Sequence, residues 1–284
     1  MTISSASWRS LLYVPGNNDK FLAKAQTRGA DALIIDLEDS VPSDYKQAAR
    51  EMVAAKLSDL IQGPAQVCIR INGDLVNMAD DLRTVVRPGV AAIFLPKCED
   101  AGKVRLVAQA LDLLDPMNNV GIVPLIESPG GLIHAYDIAR ADKRVVALLL
   151  GSEDFATSCQ ITPSEQTLIG AKQQIVYAAR AAGISPLGLL DSIANFTSAD
   201  LEDLAVRSAA FGFSGATSVH PGNVQALNRG FSPSQEDVEW AERVMEELDR
   251  AERKSLGAVT LNGRMIDKPV YERAQSILAR RLPG

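Results

Sequence analysis

Charged residues follow apolar segments repeatedly in this sequence, and their types point to metal or acid–base chemistry. The run Val145–Leu150 is wholly apolar and leads through Gly151 into the acidic pair Glu153 and Asp154. A short apolar run of this kind predicts a strand buried on both faces, as in a parallel sheet covered by helices. The two carboxylates would then lie just beyond the carboxyl end of the strand, where α/β folds place their active sites.

Other apolar segments follow the same plan and would deliver ionisable groups to the same end of a sheet. The residues are Arg9 before the first strand, Asp36, Glu38 and Asp39 after the second, Arg70 on the third, Lys97 after the fourth, Glu127 on the fifth, Asp191 after the seventh and His220 after the eighth. Any one of them is more often a helix cap or a surface ion pair. The whole set favours a functional cluster, because helix caps would be spread over Ser, Thr, Asn and Asp and would not include arginine.

The chemistry of this set favours a hard cation bound through oxygen. Several carboxylates without a Cys or His cluster predict Mg²⁺, and the two histidines of the chain make zinc a poor alternative. Glu127 and Asp154 are the predicted ligands, because the fifth and sixth strands adjoin in a barrel. Arg70 is suited to hold a substrate carboxylate through two hydrogen bonds. A Schiff-base role for Lys97 is disfavoured, since neighbouring acids keep its amine protonated.

Eight strand-like segments alternate with helical patterns over about 230 residues. The predicted strands lie within Arg9–Gly16 and at Asp31–Asp39, Gln66–Asn72, Ala91–Lys97, Val120–Ser128, Val145–Leu150, Ser185–Asp191 and Gly212–His220. The helices between them include Ser43–Leu60, with Ser43 as its cap, and Gly131–Arg140. Strict alternation predicts right-handed crossovers and a parallel sheet. We therefore predict an α/β fold, a (β/α)8 TIM barrel, with a doubly wound open sheet as the alternative.

The sequence changes character after residue 232. Gln235–Leu256 is a charged amphipathic pattern, Asn262-Gly263 is a hairpin turn signal, and Val270–Arg281 predicts a final helix. We predict a barrel domain at residues 1–232 and a C-terminal helical arm or lid at residues 233–284 that contacts a neighbouring subunit. A cap that packs on its own barrel is the alternative.

Composition excludes several classes of protein. The 284 residues include 35 acidic and 29 basic side chains, a net charge of −6, which argues against nucleic acid or an anionic membrane as a partner. No apolar segment reaches the roughly 18 residues of a membrane span, and the first residues lack the apolar core of a signal peptide. Three cysteines without metal-type spacing fit a cytoplasmic enzyme with free thiols.

The chain also carries a series of short motifs in a fixed order. They are Arg9-Ser10 with Val14-Pro15-Gly16, Asp36-Leu37-Glu38-Asp39 followed by Lys46 and Arg50, Arg70-Ile71-Asn72, Leu95-Pro96-Lys97, Ile126-Glu127-Ser128, Gly151-Ser152-Glu153-Asp154 and Val219-His220-Pro221. Together they resemble the citrate lyase β-subunit-like family, which includes malyl-CoA and citramalyl-CoA lyases. The likeness runs from Arg9 to about Ala274, and the ordered set is far more specific than any single motif.

The resemblance implies an activity and a cofactor. Family members are (β/α)8 barrels, commonly trimers, that cleave or form a carbon–carbon bond between an acetyl-CoA-type thioester and a 2-oxo acid. The expected state of this chain is therefore a homo-oligomer, a trimer or a dimer of trimers. Carried over, this implies Mg²⁺ on Glu127 and Asp154. It also implies that Arg70 binds the oxo-acid or thioester oxygen.

The resemblance assigns further roles around that centre. Arg9 would help to hold CoA, while Asp36, Glu38 and Asp39 would order metal-bound waters and orient Arg70. In malyl-CoA-type members, the proton-transfer carboxylate lies in the C-terminal arm of a neighbouring subunit. Asp267, in the segment Asn262-Gly263-Arg264-Met265-Ile266-Asp267, matches it.

One position departs from the family, and several functions stay open. Family members often carry a lysine after the glycine of strand eight, where this chain has Ala216 after Gly215, so identical substrate or CoA contacts are not implied there. His220 is expected to be structural. The leading prediction is a Mg²⁺-dependent lyase for a short 3-hydroxyacyl-CoA such as malyl-CoA or citramalyl-CoA. The alternatives are a citryl-thioester lyase subunit of a citrate lyase complex, a CoA-independent class II pyruvate aldolase, and a non-catalytic assembly or regulatory relative.

Overall fold

The structure is a computed structural model that describes residues 8–117, 119–192, 200–253, 259–261 and 264–280. The chain forms two units, Met1–Phe231 and Ser232–Gly284. No helix in the described part of the chain has both the length and the apolar character needed to cross a membrane.

The first unit contains an eight-stranded parallel barrel. The strands are β1 (Ser10–Pro15), β2 (Ala32–Asp36), β3 (Gln66–Arg70), β4 (Val90–Leu95), β5 (Gly121–Ile126), β6 (Ala147–Leu150), β7 (Ser185–Leu187) and β8 (Ala216–Ser218). Consecutive strands pair in parallel from β1 to β7, and β1 also pairs with β8. Between β7 and β8 the Gly188 N–H donates to the Gly215 carbonyl at 2.8 Å, which bridges the last gap. The predicted barrel is confirmed, and the open-sheet alternative is wrong.

Strands β7 and β8 are shorter than the sequence predicts. Each has three residues, against the predicted Ser185–Asp191 and Gly212–His220. Pro186 cannot donate a ladder hydrogen bond, and Gly188 adopts a φ of +153°, which ends regular pairing. The barrel therefore keeps its eight strands, but the pairing between β7 and β8 is less extensive than between the other neighbouring strands.

Helices cover the outside of the barrel. They are α1 (Asp19–Lys24), α2 (Lys46–Ile61), α3 (Leu75–Val85), α4 (Ala101–Leu114), α5 (Pro129–Ile133), α6 (Ala135–Ala139), α7 (Ser152–Cys159), α8 (Glu165–Ala181), α9 (Leu201–Phe211) and α10 (Val224–Phe231). The prediction that Ser43 caps a helix is wrong: it begins a 3-10 turn, Ser43–Tyr45, and α2 starts at Lys46 without a side-chain cap. The predicted helix Gly131–Arg140 is two short helices that meet at His134.

Alternation along the strands separates two apolar layers and directs the site residues. The interior layer consists of Trp8, Leu11, Ala32, Ile34, Cys68, Ala92, Phe94, Val123, Leu125, Val146, Ala147, Leu149 and Leu187. On β2, Leu33 and Ile35 belong instead to the larger layer under the helices. Because side chains alternate with a period of two, the next inward position on β2 after Ile34 is Asp36. The same alternation turns Arg70 inward after Cys68, and Glu127 after Leu125.

The second unit has its own small core. It comprises α11 (Gln235–Arg253), β9 (Val259–Leu261), β10 (Arg264–Ile266) and α12 (Lys268–Ala279). Strands β9 and β10 pair antiparallel, with Leu261 opposite Arg264, while the predicted turn Asn262-Gly263 lies outside the described residues. The core residues are Ala241, Val244, Ile266, Ala274 and Ile277. The predicted helical C-terminal region is thus confirmed.

Candidate active site

The carboxyl ends of the strands surround a cavity of about 500 Å³. Its lining residues with acidic or basic side chains are Asp36, Asp39, Arg70, Glu127, Glu153, Asp154 and Asp191, and its apolar wall includes Leu125, Leu149, Leu150, Leu189, Ala216 and Val219. A concave site with an apolar wall and convergent polar groups suits a small organic ligand. In barrels of this type, active sites lie at this end.

Asp36 and Arg70 form the centre of the charged side. Strands β2 and β3 place them opposite each other in parallel register. The Arg70 Nε–H donates to Asp36 Oδ1 and the Nη2–H donates to Asp36 Oδ2, each at 2.7 Å. The two-bond fork that the sequence assigned to a substrate carboxylate is therefore taken by Asp36. This geometry agrees instead with the orienting role predicted for Asp36.

Arg70 also contacts two further carboxylates. Its Nη1 lies 3.0 Å from Asp39 Oδ2 and 3.2 Å from Glu38 Oε2, and its guanidinium carbon is 4.9 Å from the centre of the Tyr13 ring. Burial alone would lower the pKa of Arg70, but the Asp36 hydrogen bonds and the surrounding negative charges outweigh it and raise that pKa. Burial likewise opposes ionisation of Asp36, yet the Arg70 hydrogen bonds bring its pKa below the ordinary value. Both groups are therefore held ionised. The sequence assigned no role to Tyr13, although its inward position two residues after Leu11 would have placed it at the mouth.

Glu38 is buried and lies in ion pairs with both Lys97 and Arg70, but its hydrogen bonding is incomplete. Its Oε1 accepts a hydrogen bond from the Lys97 ammonium at 2.9 Å, while its Oε2 has no hydrogen-bond partner. Burial raises the pKa of Glu38 above its ordinary value, although Lys97 and Arg70 oppose the shift. The Lys46 ammonium donates to the carbonyls of Leu37 and Glu38 at 2.8 and 2.6 Å, which fixes the loop after β2. This anchoring role for Lys46 was not predicted from the sequence.

Lys97 is engaged as a cation. Its hydrogen bond to Glu38 raises the pKa of the ammonium above the ordinary lysine value. A protonated amine cannot act as a nucleophile. The geometry thus agrees with the expectation that Lys97 forms no Schiff base.

Glu127 is a buried carboxylate that faces the cavity from the end of β5. Its side chain accepts the Lys97 backbone N–H at 2.8 Å. Burial, followed by the negative charges of Glu38 and Asp154, raises the pKa of Glu127 to about 7. A Cβ at Gly151 would lie 2.6 Å from Glu127 Cγ, so only glycine fits beside this carboxylate.

Asp154 approaches the same region from the first turn of α7. It is exposed and makes no hydrogen bond or ion pair within the described part of the chain, whereas its neighbour Glu153 accepts a hydrogen bond from the Ser192 hydroxyl. Glu127 and Asp154 each retain oxygen lone pairs for a ligand, because an ionised carboxylate has about four acceptor sites.

The donor set fits a hard divalent cation. Among the described residues there is no group of three or more His, Cys, Asp or Glu side chains arranged to hold a metal ion. Mg²⁺ uses one or two carboxylates and keeps several waters, so two carboxylates are the expected number. A nearby cation would also oppose the burial and the negative charges of Glu38 and Asp154 that together raise the pKa of Glu127.

Arg9 lies at the opposite end of the barrel. It precedes Ser10, the first residue of β1, and therefore sits at the amino end of that strand. Its Nε–H and Nη2–H donate to the two carboxylate oxygens of Asp31 at 2.8 and 2.7 Å. The prediction that Arg9 faces the same mouth as the other charged residues is wrong, because parallel strands all begin at the other end.

Two further predicted residues serve as helix caps. His220 Nδ1 accepts the Gly222 N–H at 3.1 Å and caps the 3-10 turn Pro221–Asn223, in agreement with the structural role expected for it. Asp267 belongs to the second unit, where its Oδ1 accepts the Val270 N–H at 3.2 Å and caps α12. Its part in proton transfer stays a prediction.

Comparisons with known proteins agree with the motifs. Residues 9–221 match the HpcH/HpaI aldolase/citrate lyase family. The chain is 34% identical to citrate lyase subunit beta of Escherichia coli K12, over 96% of this chain and 92% of that protein. It is 31% identical to the mitochondrial citramalyl-CoA lyase of Homo sapiens, over 94% of this chain and 84% of the relative.

A solved structure shares the fold. CitE from Mycobacterium tuberculosis, crystallised with magnesium, acetoacetate and coenzyme A, aligns with a TM-score of 0.73 and 28% identity, over 95% of this chain and 97% of that chain. Together with the family match, which spans most of the sequence, this establishes that the chain belongs to the HpcH/HpaI aldolase/citrate lyase family.

Proposed function

We propose that this protein is a Mg²⁺-dependent carbon–carbon lyase. It cleaves or forms a short 3-hydroxyacyl-CoA, such as malyl-CoA or citramalyl-CoA, and the products of cleavage are acetyl-CoA and a 2-oxo acid. The observation that carries the proposal is the pair Glu127 and Asp154 beside the buried Arg70 in one cavity. The relatives support the same chemistry: one is a citramalyl-CoA lyase, and another was crystallised with magnesium, acetoacetate and coenzyme A.

The reaction sets clear demands on the site. Cleavage removes the proton of the 3-hydroxyl group and breaks the bond between carbons 2 and 3. The bonding electrons pass into the thioester as an enolate, carbon 3 becomes the carbonyl carbon of the oxo acid, and carbon 2 then takes up a proton. Mg²⁺, when bound, supplies Lewis acidity to the substrate oxygens. The protein must hold that ion, stabilise negative charge, exclude water and deliver a proton.

The described residues meet the first three demands. Glu127 and Asp154 would hold the cation. Asp36 fixes the Arg70 guanidinium through two hydrogen bonds, and this permanent positive charge would stabilise the negative charge that develops on a substrate bound in the cavity. The apolar wall, with Leu149 and Leu189, limits the water that can reach an enolate.

The proposal is tested with a panel of acyl-CoA thioesters and Mg²⁺. Malyl-CoA, citramalyl-CoA and citryl-CoA are supplied in turn, and the release of glyoxylate, pyruvate or oxaloacetate is measured together with acetyl-CoA. We expect metal-dependent release of one oxo acid in equal amount to acetyl-CoA. Absence of cleavage of every thioester by the intact oligomer would contradict the proposal.

A second candidate follows from the likeness to citrate lyase subunit beta. A citryl thioester carried on an acyl-carrier partner would undergo the same bond cleavage, with oxaloacetate as the product. Cleavage of a carrier-bound citryl thioester, with free CoA thioesters inactive, would favour this variant. Turnover of a free 4-hydroxy-2-oxo acid without any thioester would favour a class II aldolase instead.

We further propose that proton delivery comes from Asp267 of a neighbouring subunit, in a trimer or dimer of trimers. The support is the resemblance of the segment 262–267 to the arm of malyl-CoA-type lyases. Asp267 caps α12, and asparagine caps helices about as well as aspartate. Asp267→Asn therefore removes the carboxylate while it keeps the local fold, which makes it the right variant for a test.

The test mixes two inactive variants, Asp154→Asn and Asp267→Asn, under conditions that allow subunits to exchange. If the carboxylate acts across the interface, mixed oligomers contain some sites in which both groups are intact, and part of the activity returns. If it acts within its own chain, every site keeps one defect and the mixture stays inactive. A lack of recovery after verified exchange contradicts the shared site.

A further inference from the structure

Lys97 has an unusual backbone conformation at the edge of the site. Its φ is +52°, in the left-handed region, and among the described residues other than glycine only Lys97 and Gln160 have a positive φ. A residue with a Cβ adopts this backbone conformation only at an energetic cost, and such strain persists where the surrounding structure enforces it. The sequence carries no sign of it, because lysine is not a residue that favours this conformation. The position of Lys97 directly after Pro96 and β4 makes the strain relevant to the cavity.

The left-handed turn lets one residue hold two acids from different strands. The Lys97 backbone N–H donates to Glu127 Oε2 at 2.8 Å, and the ammonium of the same residue donates to Glu38 Oε1 at 2.9 Å. A parallel strand that continued past Leu95 would instead direct its N–H groups toward backbone carbonyls of a neighbouring strand. The residue after the turn bonds back to β5, since the Cys98 N–H donates to the Leu125 carbonyl at 3.1 Å.

A second lysine stabilises the turn from outside. The Lys103 ammonium, from the first turn of α4, donates to the carbonyls of Pro96 at 2.8 Å and of Lys97 at 3.1 Å. Asp100 caps α4 through the Gly102 N–H at 2.6 Å and so fixes the start of that helix. The carbonyls on both sides of the strained residue thus have fixed partners, and the conformation does not depend on the Lys97 side chain alone.

Neither acid has an equivalent substitute partner. Lys97 donates the hydrogen bond that Glu38 Oε1 accepts, while Glu38 Oε2 accepts none. Arg70 Nη1 forms an ion pair with Glu38 Oε2 at 3.2 Å, but the hydrogen bond of that nitrogen goes to Asp39 at 3.0 Å. The other two nitrogens of Arg70 are bonded to Asp36. The Lys97 side chain is itself 55% exposed, so its position is set by the contact with Glu38 and not by burial.

We propose that Lys97 is a positioning residue for the metal centre: its strained backbone aims an N–H at Glu127, and its ammonium fixes Glu38 beside it. The inference rests on the proposed function in one respect, that Glu127 holds the cation. By this division the backbone orients one oxygen of Glu127 and leaves the other for the ion. The ammonium keeps Glu38 near the site as a charged acceptor for metal-bound water.

Four variants separate the backbone from the ammonium. Lys97→Arg keeps the positive charge. Lys97→Gly and Lys97→Ala both remove it, but glycine adopts a positive φ without conformational strain, whereas alanine keeps that strain. Gln160→Gly is the matched control, since Gln160 has a φ of +58° at the end of α7 and takes no part in the proposed centre. The readouts are the dissociation constant of Mn²⁺ by electron paramagnetic resonance, that of Mg²⁺ by calorimetry, and the thermal midpoint of the metal-free protein.

We expect the loss of metal affinity to be largest in Lys97→Ala, about tenfold to a hundredfold, as for other groups that orient metal ligands. Lys97→Gly should lose less, and Lys97→Arg and Gln160→Gly should bind like the wild type. The metal-free thermal midpoint should stay unchanged, or rise in Lys97→Gly as strain is relieved. A purely structural role would instead lower the midpoint and the affinity in parallel.

The outcomes distinguish this inference from the proposed function. Wild-type affinity in both Lys97→Gly and Lys97→Ala would overturn the positioning role while the metal site stands. Equal losses of metal affinity in Lys97→Gly and Lys97→Ala would overturn the proposed role of the Lys97 backbone in orienting Glu127. If the wild-type protein binds no Mn²⁺, or if Glu127→Gln binds it as tightly as the wild type, the assignment of the metal to Glu127 fails and this inference fails with it.

Discussion

Each end of the barrel has an Arg–Asp ion pair of the same geometry, but the residues around the two pairs differ. At the amino end, Arg9 contacts Asp31 through two hydrogen bonds of 2.8 and 2.7 Å. At the carboxyl end, Arg70 contacts Asp36 through two of 2.7 Å. The first pair consists of one cation and one anion. Around the second pair lie further carboxylates, so the geometry is alike but the balance of charge is not.

The neighbours of each pair explain why only one end is suited to chemistry. Beside Arg9 the described neighbours include neutral polar pairs: the Trp8 indole donates to Gln66 at 2.7 Å, and Ser10 donates to Asn228 at 2.6 Å. Near Arg70, one oxygen of Glu38 accepts no hydrogen bond, although it lies in an ion pair with Arg70, and burial and neighbouring carboxylates raise the pKa of Glu127 to about 7. A bidentate Arg–Asp pair is therefore no sign of function by itself. Uncompensated negative charge beside it is the informative feature.

The largest expected effect comes from removing that charge. Glu127→Gln or Asp154→Asn should lower Mg²⁺-dependent turnover at least a hundredfold, because metal-ion catalysis supplies several kcal/mol to such reactions. Far-ultraviolet circular dichroism should be unchanged, since both groups face the cavity and not the core. The matched control is Asp31→Asn at the amino end, which should lower stability but not turnover. Full activity in either site variant, or in the presence of EDTA, contradicts the metal assignment.

The second effect is a pH dependence of stability in the metal-free protein. Because the pKa of Glu127 is about 7 in the fold and near 4.5 when unfolded, the folded state binds the proton more tightly between these values. The free energy of unfolding should therefore fall as the pH rises through this window, by up to about 3 kcal/mol. Urea unfolding at about pH 5 and about pH 8 measures it. Glu127→Gln should remove this part of the dependence, and Mg²⁺ should restore stability at the higher pH. An unchanged dependence in Glu127→Gln would show that other groups cause it.

The third effect separates charge from geometry at the carboxyl end. Arg70→Lys keeps the positive charge but loses the planar fork that Asp36 holds, so kcat/KM should fall at least tenfold, about 1.4 kcal/mol. Steady-state kinetics with the best thioester of the panel provide the measurement. If Arg70→Lys has the kcat/KM of the wild type, the geometry of the Arg70 guanidinium does not contribute to catalysis.

The sequence predicted the inward residues of the site well, for a simple physical reason. Apolar runs define the strands, and a period of two then fixes which end residues face the cavity, so Asp36, Arg70 and Glu127 could be placed without coordinates. The two-bond pairing of Asp36 with Arg70 did not follow from the strand pattern, because it depends on the register between β2 and β3, and only the resemblance implied that Asp36 orients Arg70. The turn at Lys97 was equally hidden, since nothing in its residue type signals a positive φ.

Arg9 shows a different kind of error. The pattern of charged residues beside apolar segments grouped Arg9 with the mouth residues, and the resemblance then gave it a role in holding CoA. The first residue of β1 is Ser10, and that boundary alone decides the end to which Arg9 belongs. Strand boundaries are the features that a sequence defines least well. The place of the Arg9 motif in the sequence was thus recognised correctly, but the end of the barrel at which Arg9 lies was not.

The smallest expected effect tests that correction directly. Six residues of β1 separate Arg9 from the mouth, roughly 20 Å along the strand. Arg9→Lys should therefore leave kcat and KM within about twofold of the wild type, while Arg70→Lys does not. The lost fork to Asp31 should lower the free energy of unfolding by about 1 kcal/mol or less, because the pair is partly exposed. Kinetics with saturating Mg²⁺ and a varied thioester, together with urea unfolding, measure both. If KM for the thioester rises tenfold at constant kcat, Arg9 contacts CoA as the resemblance implied. The contrast between a structural end and a functional end would then have to be abandoned.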